Sequence, residues 1–386
     1  QTPQQLLRAF ARQGWLCFFC DHPNLENRVV KIEENVFLVH ETDLIQAAQD
    51  EEIHILLTWL GSLPFVQYFN KSKIWYHILD DLNIFPYYGR NYEIVHREFC
   101  KKADWVSYVS SQLKSTVHQR TNAIYLPNGV NPEEIIADTS VIPKDMANVV
   151  EKSECIVGYF GHIAEWMNVA AVCEAALARP RIDFVFIGNV RIDLSELEVL
   201  PNVHILGPKK YNELPKYASH FDICFIPFEI SEAMDCVSPI KFYEYCAYGK
   251  PVISSKMKEL EQYQGKCIRL YETPAQLIDA LDEFNSDDIK NLAKVTLPEI
   301  AANNSWTSRA LVMEKHFQSE RRFYPYPDYR RQDIIIFGII DYKFRYQRPQ
   351  HFARLFAESG HRVFYINPNH NHPDSVKEEI PNLFLV

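Results

Sequence analysis

A serine-proline helix start carries the strongest local signal for chemistry in this sequence. Ser238 is a favoured N-cap and Pro239 a favoured first helical residue, so a helix is predicted to begin here and to stop before Gly249. Its free backbone N–H groups would attract an anion such as a diphosphate, and Lys241 in the first turn adds positive charge. Glu244 follows one turn later, within reach of ribose hydroxyls. An ordinary capped helix with an internal Lys241–Glu244 ion pair explains the spacing equally well.

A glycine at the end of a buried strand marks a second candidate position. Gly161 follows the apolar run 155–159, and a glycine at the carboxyl end of a parallel strand lets a ligand approach the backbone. The spacing Gly158-x-x-Gly161 lacks the third glycine of a dinucleotide-binding loop, and no acidic ribose-binding residue follows at the usual distance. Walker A, HExxH, GxSxG and HRD motifs are absent from the sequence. The sequence therefore argues against a dehydrogenase, a kinase, a serine hydrolase and a zinc protease.

A pair of carboxylates forms the third candidate. Asp80 and Asp81 follow the apolar run 73–78, which places them at the carboxyl end of a strand and next to a cleft. Carboxylates in such a place can orient or deprotonate a hydroxyl group. Strand alternation leaves open that one of the two points to solvent, and His77 is interpreted as a hydrogen-bonded core histidine.

These residues depend on a regular alternation of strands and helices. Apolar runs of strand length alternate with helix-length periodic stretches, which predicts an α/β fold with two doubly wound, Rossmann-like domains of parallel strands. The predicted domains are residues 1–135 and 136–318, followed by a linker at 319–332 and a further segment at 333–386. The predicted strands are 16–19, 36–39, 54–58, 73–78, 105–109, 123–126, 155–159, 183–187, 203–206, 223–226, 252–254 and 268–271.

The sequence also contains an internal repeat. Residues 347–365 align with residues 1–19 at eight identical positions, and residues 382–386 align with residues 35–39. In the second copy the apolar run 334–340, typical of a buried parallel strand, precedes the helix, whereas the first copy begins at its helix.

Two interpretations of this difference are open. We favour the one in which the chain is a slice of a longer tandem protein. In the other, residues 334–340 complete the sheet of the first domain, within the same chain or in a neighbouring one.

Composition and charge exclude several classes of protein. The 386 residues carry 40 Lys+Arg against 50 Asp+Glu, a formal net charge of -10, and no basic stripe suggests a nucleic-acid partner. No apolar run is long enough to span a membrane, and the first residues do not form a secretion signal. The nine cysteines are predicted to be buried thiols in a reducing compartment, and the Cys17-x-x-Cys20 pair lacks a second pair for a metal site.

Five motifs occur in the order seen in GT-B fold glycosyltransferases. The chain most resembles the large retaining family 4, which includes bacterial polysaccharide and sucrose-related enzymes. The resemblance covers residues 1 to 318, and residues 334–356 resemble the start of a second, tandem unit. The motifs are PNGV at 127–130, VGYFGHIAEW at 157–166, PNVHILG at 201–207, FDICFIPF at 221–228 and SPIKFYEYCAYGKPVI at 238–253.

The resemblance implies transfer of a sugar from a nucleotide-sugar donor by a retaining, hexosyltransferase-like enzyme without a metal or a cofactor. The second domain would hold the donor, and the first would hold a glycan or lipid-linked acceptor. The implied catalytic residues are Asp80, Asp81, Asp235 and Lys241. The implied donor-binding residues are Gly161, His162, Gly207, Pro208, Lys209, Ser238, Pro239, Ile240, Lys241 and Glu244. The loop 207–211 would bind the base of the nucleotide.

The sequence departs from this family at two places. The first of the family's paired glutamates falls at Cys236, with Asp235 adjacent, and the basic pair after the first glycine is replaced by His162. Either Asp235 and His162 serve instead, or donor binding has decayed. The expected function is a cytoplasmic glycosyltransferase of surface polysaccharide synthesis, with peripheral association at the inner membrane face left open. The alternative is a silent sugar-nucleotide-binding or scaffolding unit of a tandem enzyme.

Overall fold

The computed structural model describes most of the chain and divides it into two compact units, Gln1–Arg321 and Arg322–Val386. Within the larger unit we call residues 2–135 the first lobe and residues 139–303 the second lobe. The described residues are 2–20, 29–81, 90–117, 120–135, 139–265, 267–318, 333–337, 343, 348–358, 361–366 and 376–385.

The strands of the first lobe form two separate sheets. One is three-stranded with the order β1-β3-β2, in which β1 and β3 are parallel and β2 is antiparallel to β3. The other has four parallel strands in the order β4-β5-β6-β7. The elements are α1 (Thr2–Arg12), β1 (Cys17–Cys20), β2 (Val29–Glu33), β3 (Val36–Val39), α2 (Glu41–Ala48), β4 (Glu52–Leu57), α3 (Leu63–Val66), β5 (Lys71–Ile78), α4 (Arg90–Lys102), β6 (Trp105–Tyr108) and β7 (Ile124–Tyr125).

The second lobe contains one continuous sheet of six parallel strands. Its order is β10-β9-β8-β11-β12-β13, so the order reverses between β8 and β11, where open α/β sheets bind ligands. The elements are α5 (Ala147–Lys152), β8 (Cys155–Phe160), α6 (Val169–Ala178), β9 (Ile182–Ile187), α7 (Ser195–Glu198), β10 (Val203–Ile205), α8 (Leu214–Ala218), β11 (Ile223–Ile226), α9 (Glu232–Asp235), α10 (Ile240–Ala247), β12 (Val252–Ser255), β13 (Ile268–Tyr271), α11 (Pro274–Phe284) and α12 (Asp287–Asn303).

The predicted α/β class with doubly wound parallel sheets is confirmed, and most predicted strands agree to within one or two residues. Buried strands are easily recognised because they are continuous apolar runs; all six residues of β8 are buried. Strand β2 was not predicted. Its sequence, VVKIE, is mostly exposed and pairs with only one neighbour, so it lacks the apolar run of a central strand.

The helix predicted to end the second domain packs against the first lobe instead. Helix α13 (Trp306–Gln318) places Trp306, Ala310 and Met313 in one buried cluster with Leu6 and Phe10 of α1. The same cluster includes residues from both first-lobe sheets. Helices α1 and α13 therefore give these two sheets a common core.

The smaller unit contains a hairpin similar to the one at residues 29–39. Its sheet has the order β14-β15-β17-β16, and Asn382 before β17 has a positive φ of 69°, as Asn35 before β3 has a φ of 59°. Both asparagines occupy the left-handed region in the tight turn of an antiparallel hairpin. The elements are β14 (Asp333–Phe337), α14 (Arg348–Glu358), β15 (Arg362–Ile366), β16 (Lys377–Ile380) and β17 (Leu383–Leu385).

Strand β14 lies in its own unit. It pairs in parallel with β15, from Asp333 opposite Arg362 to Phe337 opposite Ile366. The alternative in which this strand completes the first domain's sheet within the chain is therefore wrong for residues 333–337. Residues 338–340 of the predicted run lie outside the described residues.

The nine cysteines are all free thiols, as predicted. Six are buried, but Cys20 is exposed, and Cys173 and Cys236 are partly so, which corrects the prediction of uniform burial. The surrounding protein desolvates both thiols and raises the pKa of Cys17 and of Cys20 to about 11, although the surface of Cys20 is exposed. In the described part of the chain, none of the helices has the length and apolar character needed to cross a membrane.

Candidate active site

Two glycines bring the ends of β8 and β9 close together, next to the point where the second-lobe sheet reverses its order. Gly161 follows β8 with a φ of 136° and donates its N–H to the carbonyl of Ile187 on β9, at 2.8 Å. Gly188 follows β9 with a φ of 155°, and a Cβ built on it would lie 1.8 Å from the carbonyl oxygen of Gly161. Only glycine fits at position 188 without moving this backbone. The sequence signal for Gly188, a glycine directly after a buried strand, was missed.

Helix α10 begins later than the sequence predicted. Its first residue is Ile240, Pro239 is the N-cap, and no side chain caps the helix. The prediction that Ser238 is the N-cap is therefore wrong. The hydroxyl of Ser238 instead accepts a hydrogen bond from the N–H of Asn128, at 3.2 Å, and the Asn128 amide donates to the Ser238 carbonyl at 2.7 Å.

These bonds belong to a buried polar network that joins the lobes. Asn128 lies in the PNGV turn, and its side-chain oxygen accepts a hydrogen bond from Thr2 at the start of α1, at 2.7 Å. Thr2, Asn128 and Ser238 are all less than 10% exposed (5%, 7% and 4%). The uncapped backbone N–H groups at the start of α10 remain available to a ligand.

Lys241 lies in the first turn of α10 and reaches back to Gly161. A Cβ on Gly161 would lie 2.2 Å from Cε and 2.6 Å from Nζ of Lys241, so the lysine occupies the space that this glycine leaves. The ammonium also lies over the rings of Tyr159 and Phe228, at 5.4 and 5.8 Å from their centroids. Burial lowers the pKa of Lys241, and the carboxylate of Glu244 partly offsets this.

Glu244 lies at the edge of a cavity of about 280 Å³. Its carboxylate is buried and accepts a hydrogen bond from the hydroxyl of Tyr211 at 3.0 Å. Burial raises the pKa of Glu244, while the Tyr211 bond and Lys241 act in the opposite direction. The cavity is lined by Arg8, Glu134, Ile135, Phe160, Tyr211, Asn212, Leu214, Pro215, Glu244 and Tyr248.

The first part of the predicted base-binding loop 207–211 is not part of this cavity. Neither Gly207 nor Pro208 lines it. The ammonium of Lys209 is bound by Asp145 at 2.6 Å and lies over the ring of Tyr217. Of the predicted loop 207–211, the structure therefore brings Tyr211, but not Gly207, Pro208 or Lys209, together with Glu244. Asn212, just beyond the predicted loop, also lines the cavity.

His162 has an exposed side chain. Its carbonyl oxygen accepts a hydrogen bond from the hydroxyl of Tyr159 at 2.6 Å. The backbone of residue 162 is thus tied to the aromatic ring that supports Lys241.

Carboxylates from both lobes act electrostatically on the thiol of Cys236. The pKa of the Cys236 thiol is raised to about 11, mainly by burial and further by the negative charges of Asp81, Asp235 and Asp80. Asp80 has an exposed surface, but the surrounding protein desolvates its carboxyl group and raises its pKa. The carboxylate of Asp235 accepts a hydrogen bond from the N–H of Lys258 at 3.1 Å.

The expectation that His77 is a core residue agrees with the structure. Its side chain is 1% exposed, and its Nδ1 lies 2.7 Å from the hydroxyl of Ser107. Burial lowers the pKa of His77 to about 3, so the imidazole is neutral at physiological pH. The acidic pair, rather than this histidine, supplies the polar groups at the end of β5.

Comparisons with known proteins agree with this architecture. Residues 154–287 match the family model for glycosyl transferases group 1, a range that contains Gly161, Lys241 and Glu244. The chain is also 26% identical over 218 residues to the inferred teichuronic acid biosynthesis glycosyltransferase TuaH of Bacillus subtilis (strain 168). That alignment covers 53% of this chain and 54% of the relative, so the chain spans about half the length of the curated protein it matches.

Two solved structures share the fold at low sequence identity. Sucrose-phosphate synthase from Thermosynechococcus elongatus has a TM-score of 0.61 at 17% identity, over 82% of this chain and 92% of that one. HepE of Anabaena, solved in complex with UDP and glucose, has a TM-score of 0.57 at 14% identity, over 72% of this chain and 81% of that one. The arrangement of the two lobes is that of the GT-B fold.

Proposed function

We propose that this chain is a glycosyltransferase that moves a sugar from a nucleotide-sugar donor to a glycan or lipid-linked acceptor in surface polysaccharide synthesis. The observation that carries the proposal is the position of Lys241. Its ammonium lies at the start of α10 beside Gly161, and within the described residues no carboxylate approaches it to salt-bridge distance. A desolvated cation next to free backbone N–H groups is stabilised when an anion binds.

The donor would lie across the carboxyl end of the second-lobe sheet. Its diphosphate would contact the start of α10 and Lys241, which stabilise the negative charge that develops as the nucleoside diphosphate leaves. This positive potential is the reason for proposing that the transfer needs no metal ion. Glu244, held by Tyr211, would bind the ribose at the mouth of the adjoining cavity.

The first lobe would supply the acceptor side. Asp80 and Asp81 act electrostatically on Cys236 in the segment that precedes α10, and we assign them the orientation or deprotonation of the acceptor hydroxyl. Asp235 keeps that segment in place through its bond to Lys258. Retention of configuration, a hexosyl donor, the tandem copy at 333–386 and a cytoplasmic location beside the membrane belong to the same proposal and rest on the family resemblance.

A donor panel tests this function. The protein is incubated with UDP-, GDP-, ADP- and dTDP-sugars, and thermal shift and free nucleotide are measured with and without EDTA. We expect one donor to stabilise the protein and to release its nucleotide in either condition. Strict dependence on Mg²⁺ or Mn²⁺ would contradict the metal-free proposal.

The same panel separates the enzyme from the silent unit. Cys236, where the resembled family has a glutamate, is the observation that favours a unit that binds donors without turning them over. Stabilisation without release, with an acceptor present, would support that alternative. No stabilisation by any of the four donors would overturn both.

A further inference from the structure

Glu259 is a buried carboxylate of the second lobe that is bound by groups of the first lobe. It lies in the helical turn Lys258–Tyr263 after β12, and only 3% of its surface is exposed. A carboxylate buried at this level needs hydrogen-bond donors to offset the loss of water. Its donors come from across the domain junction.

Three first-lobe groups bind this carboxylate. Its Oε1 accepts hydrogen bonds from the N–H of Ser111 and from the hydroxyl of Ser110, the latter at 3.3 Å. Its Oε2 accepts a hydrogen bond from the hydroxyl of Tyr125 at 2.5 Å. Bonds to a charged acceptor are about twice as strong as neutral ones. Glu259 therefore joins two first-lobe segments, 110–111 and the end of β7, to one second-lobe turn.

Ser110 extends this junction to the candidate active site. Its hydroxyl lies 3.1 Å from the carbonyl oxygen of Asp235, and the Asp235 carboxylate in turn accepts the N–H of Lys258, beside Glu259. The single proton of a hydroxyl serves one acceptor at a time, so Ser110 is shared between Asp235 and Glu259. The segment that leads into α10 is thus held by the same contact that binds Glu259.

The first-lobe side of the junction adjoins the acidic pair. The N–H of Val109 donates to the carbonyl of Ile78 at 3.1 Å, so Ser110 lies directly beside the strand end from which Asp80 and Asp81 emerge. Fixing Ser110 against Asp235 therefore also fixes the distance between these carboxylates and the start of α10.

We propose that Glu259 is a positioning residue that clamps the two lobes and holds Asp80 and Asp81 opposite the 235–241 segment. The role in catalysis rests on the proposed function, but the clamp itself does not. Removing the Glu259 carboxylate leaves the donor-binding groups of the second lobe intact. The affinity for the nucleotide should therefore be unchanged, whereas sugar transfer from donor to acceptor should be lost.

Variants of two neighbouring glutamates test the clamp in the full chain. Glu259→Ala removes it, and Glu259→Gln keeps an acceptor oxygen without the charge. Glu261→Ala is the matched control, because Glu261 lies in the same turn and pairs with Lys258 at the surface, at 2.9 Å. The measurements are hydrogen exchange of segments 110–117 and 235–241, UDP affinity by calorimetry, and nucleotide release from the donor that the wild type uses.

We expect Glu259→Ala to accelerate exchange in both segments at least tenfold and to lower the release rate at least tenfold, with UDP affinity unchanged within twofold. Glu259→Gln should recover part of both losses, and Glu261→Ala should match the wild type. The proposal would be overturned if segment 235–241 exchanged in Glu259→Ala at the same rate as in the wild type. It would also be overturned if the rate of nucleotide release and the UDP affinity fell by the same factor.

Two further results keep the test decisive. If Glu259→Ala does not fold, Ser110→Ala removes only the hydroxyl that Asp235 and Glu259 share and leaves the Glu259 carboxylate bound by Ser111 and Tyr125. Exchange in segment 235–241 should still accelerate, and unchanged exchange there contradicts the clamp. If the wild type neither binds UDP nor releases a nucleotide, the proposed function is at fault. The exchange data then decide on the clamp by themselves.

Discussion

The two lobes of the larger unit are built from similar elements but differ in how their strands are joined. The second lobe has six parallel strands in one sheet, whereas the seven strands of the first lobe form two sheets joined through the core of α1 and α13. Gly161 and Lys241 are placed by a continuous sheet and the helix on it. Asp80 and Asp81 depend on packing and on hydrogen bonds that cross the junction. Under the proposed function, the donor-binding groups are therefore placed within one sheet, whereas the acceptor-side carboxylates need the contacts across the junction to reach their position.

The largest effect is expected from Gly188→Ala in the second lobe. The new Cβ would lie 1.8 Å from the Gly161 carbonyl, and the φ of 155° is unfavourable for alanine. We expect a loss of stability of about 2–4 kcal/mol and at least a tenfold loss of UDP affinity, measured by denaturation and calorimetry. Gly265→Ala is the control, since its nearest atom is 3.8 Å away. If the two variants had the same stability and the same UDP affinity, the end of the sheet at Gly188 would not be rigid.

The acidic pair tests the first lobe in the same way. The double variant Asp80→Asn, Asp81→Asn keeps the shape of both side chains and removes their charge. We expect nucleotide release in the presence of acceptor to fall about 100-fold, typical of lost acid–base assistance, with UDP affinity unchanged. Asp50→Asn, at an exposed position of the same lobe, serves as control. A parallel loss of UDP affinity would assign the pair to the donor instead.

The pH dependence of UDP binding separates the charge of Lys241 from the rest of the site. Burial lowers the pKa of this ammonium, and bound diphosphate favours its protonated form. UDP affinity should therefore be constant below the lowered pKa and fall by up to about tenfold per pH unit above it. Calorimetry between pH 7 and 10 measures this, and the fall should be missing from Lys241→Ala. If UDP affinity fell equally steeply with pH in the wild type and in Lys241→Ala, a group other than Lys241 would be responsible for the pH dependence.

The smallest effect is expected at Glu244. Burial raises the pKa of its carboxyl group, so the folded state binds the proton more tightly than the unfolded state, and ionisation above the ordinary pKa costs stability. Glu244→Gln should therefore raise the melting temperature at pH 7.5 by about 1–3 °C while it weakens UDP binding. A lower melting temperature with unchanged affinity would indicate an ordinary structural residue.

The contrast between the lobes also explains how far the sequence could predict the structure. Strands β11 and β13 have the predicted bounds because buried parallel strands are short apolar runs in the sequence. Gly161 directly follows β8, as the glycine after the apolar run predicted. The edge strand β2 was missed because its mostly exposed residues form no apolar run. The helix α13 was misjudged because the α1 residues that it packs against are distant in sequence. The local sequence pattern was enough to predict most helices and strands, but it could not predict which lobe a helix packs against.

Long-range hydrogen bonds limited the prediction of the site. Ser238 fits the local rule for an N-cap, yet its hydroxyl is bound by Asn128, 110 residues away. Lys209 fits a donor-binding loop by position, but Asp145 binds it. Glu259 belongs to no motif, and its partners lie at least 134 residues away. No spacing rule within a single element reports such contacts.

The central claim is that the start of α10, with Lys241, binds the diphosphate of the donor. Titration calorimetry of UDP against the wild type, Lys241→Ala and Lys256→Ala tests it most directly. Lys256 pairs with Glu272 at the surface of the same lobe, at 2.8 Å, and is the matched control. We predict that Lys241→Ala weakens binding by about 1–2 kcal/mol, roughly 5- to 30-fold, and that Lys256→Ala binds as the wild type does. The same UDP affinity in wild type and Lys241→Ala would contradict the claim.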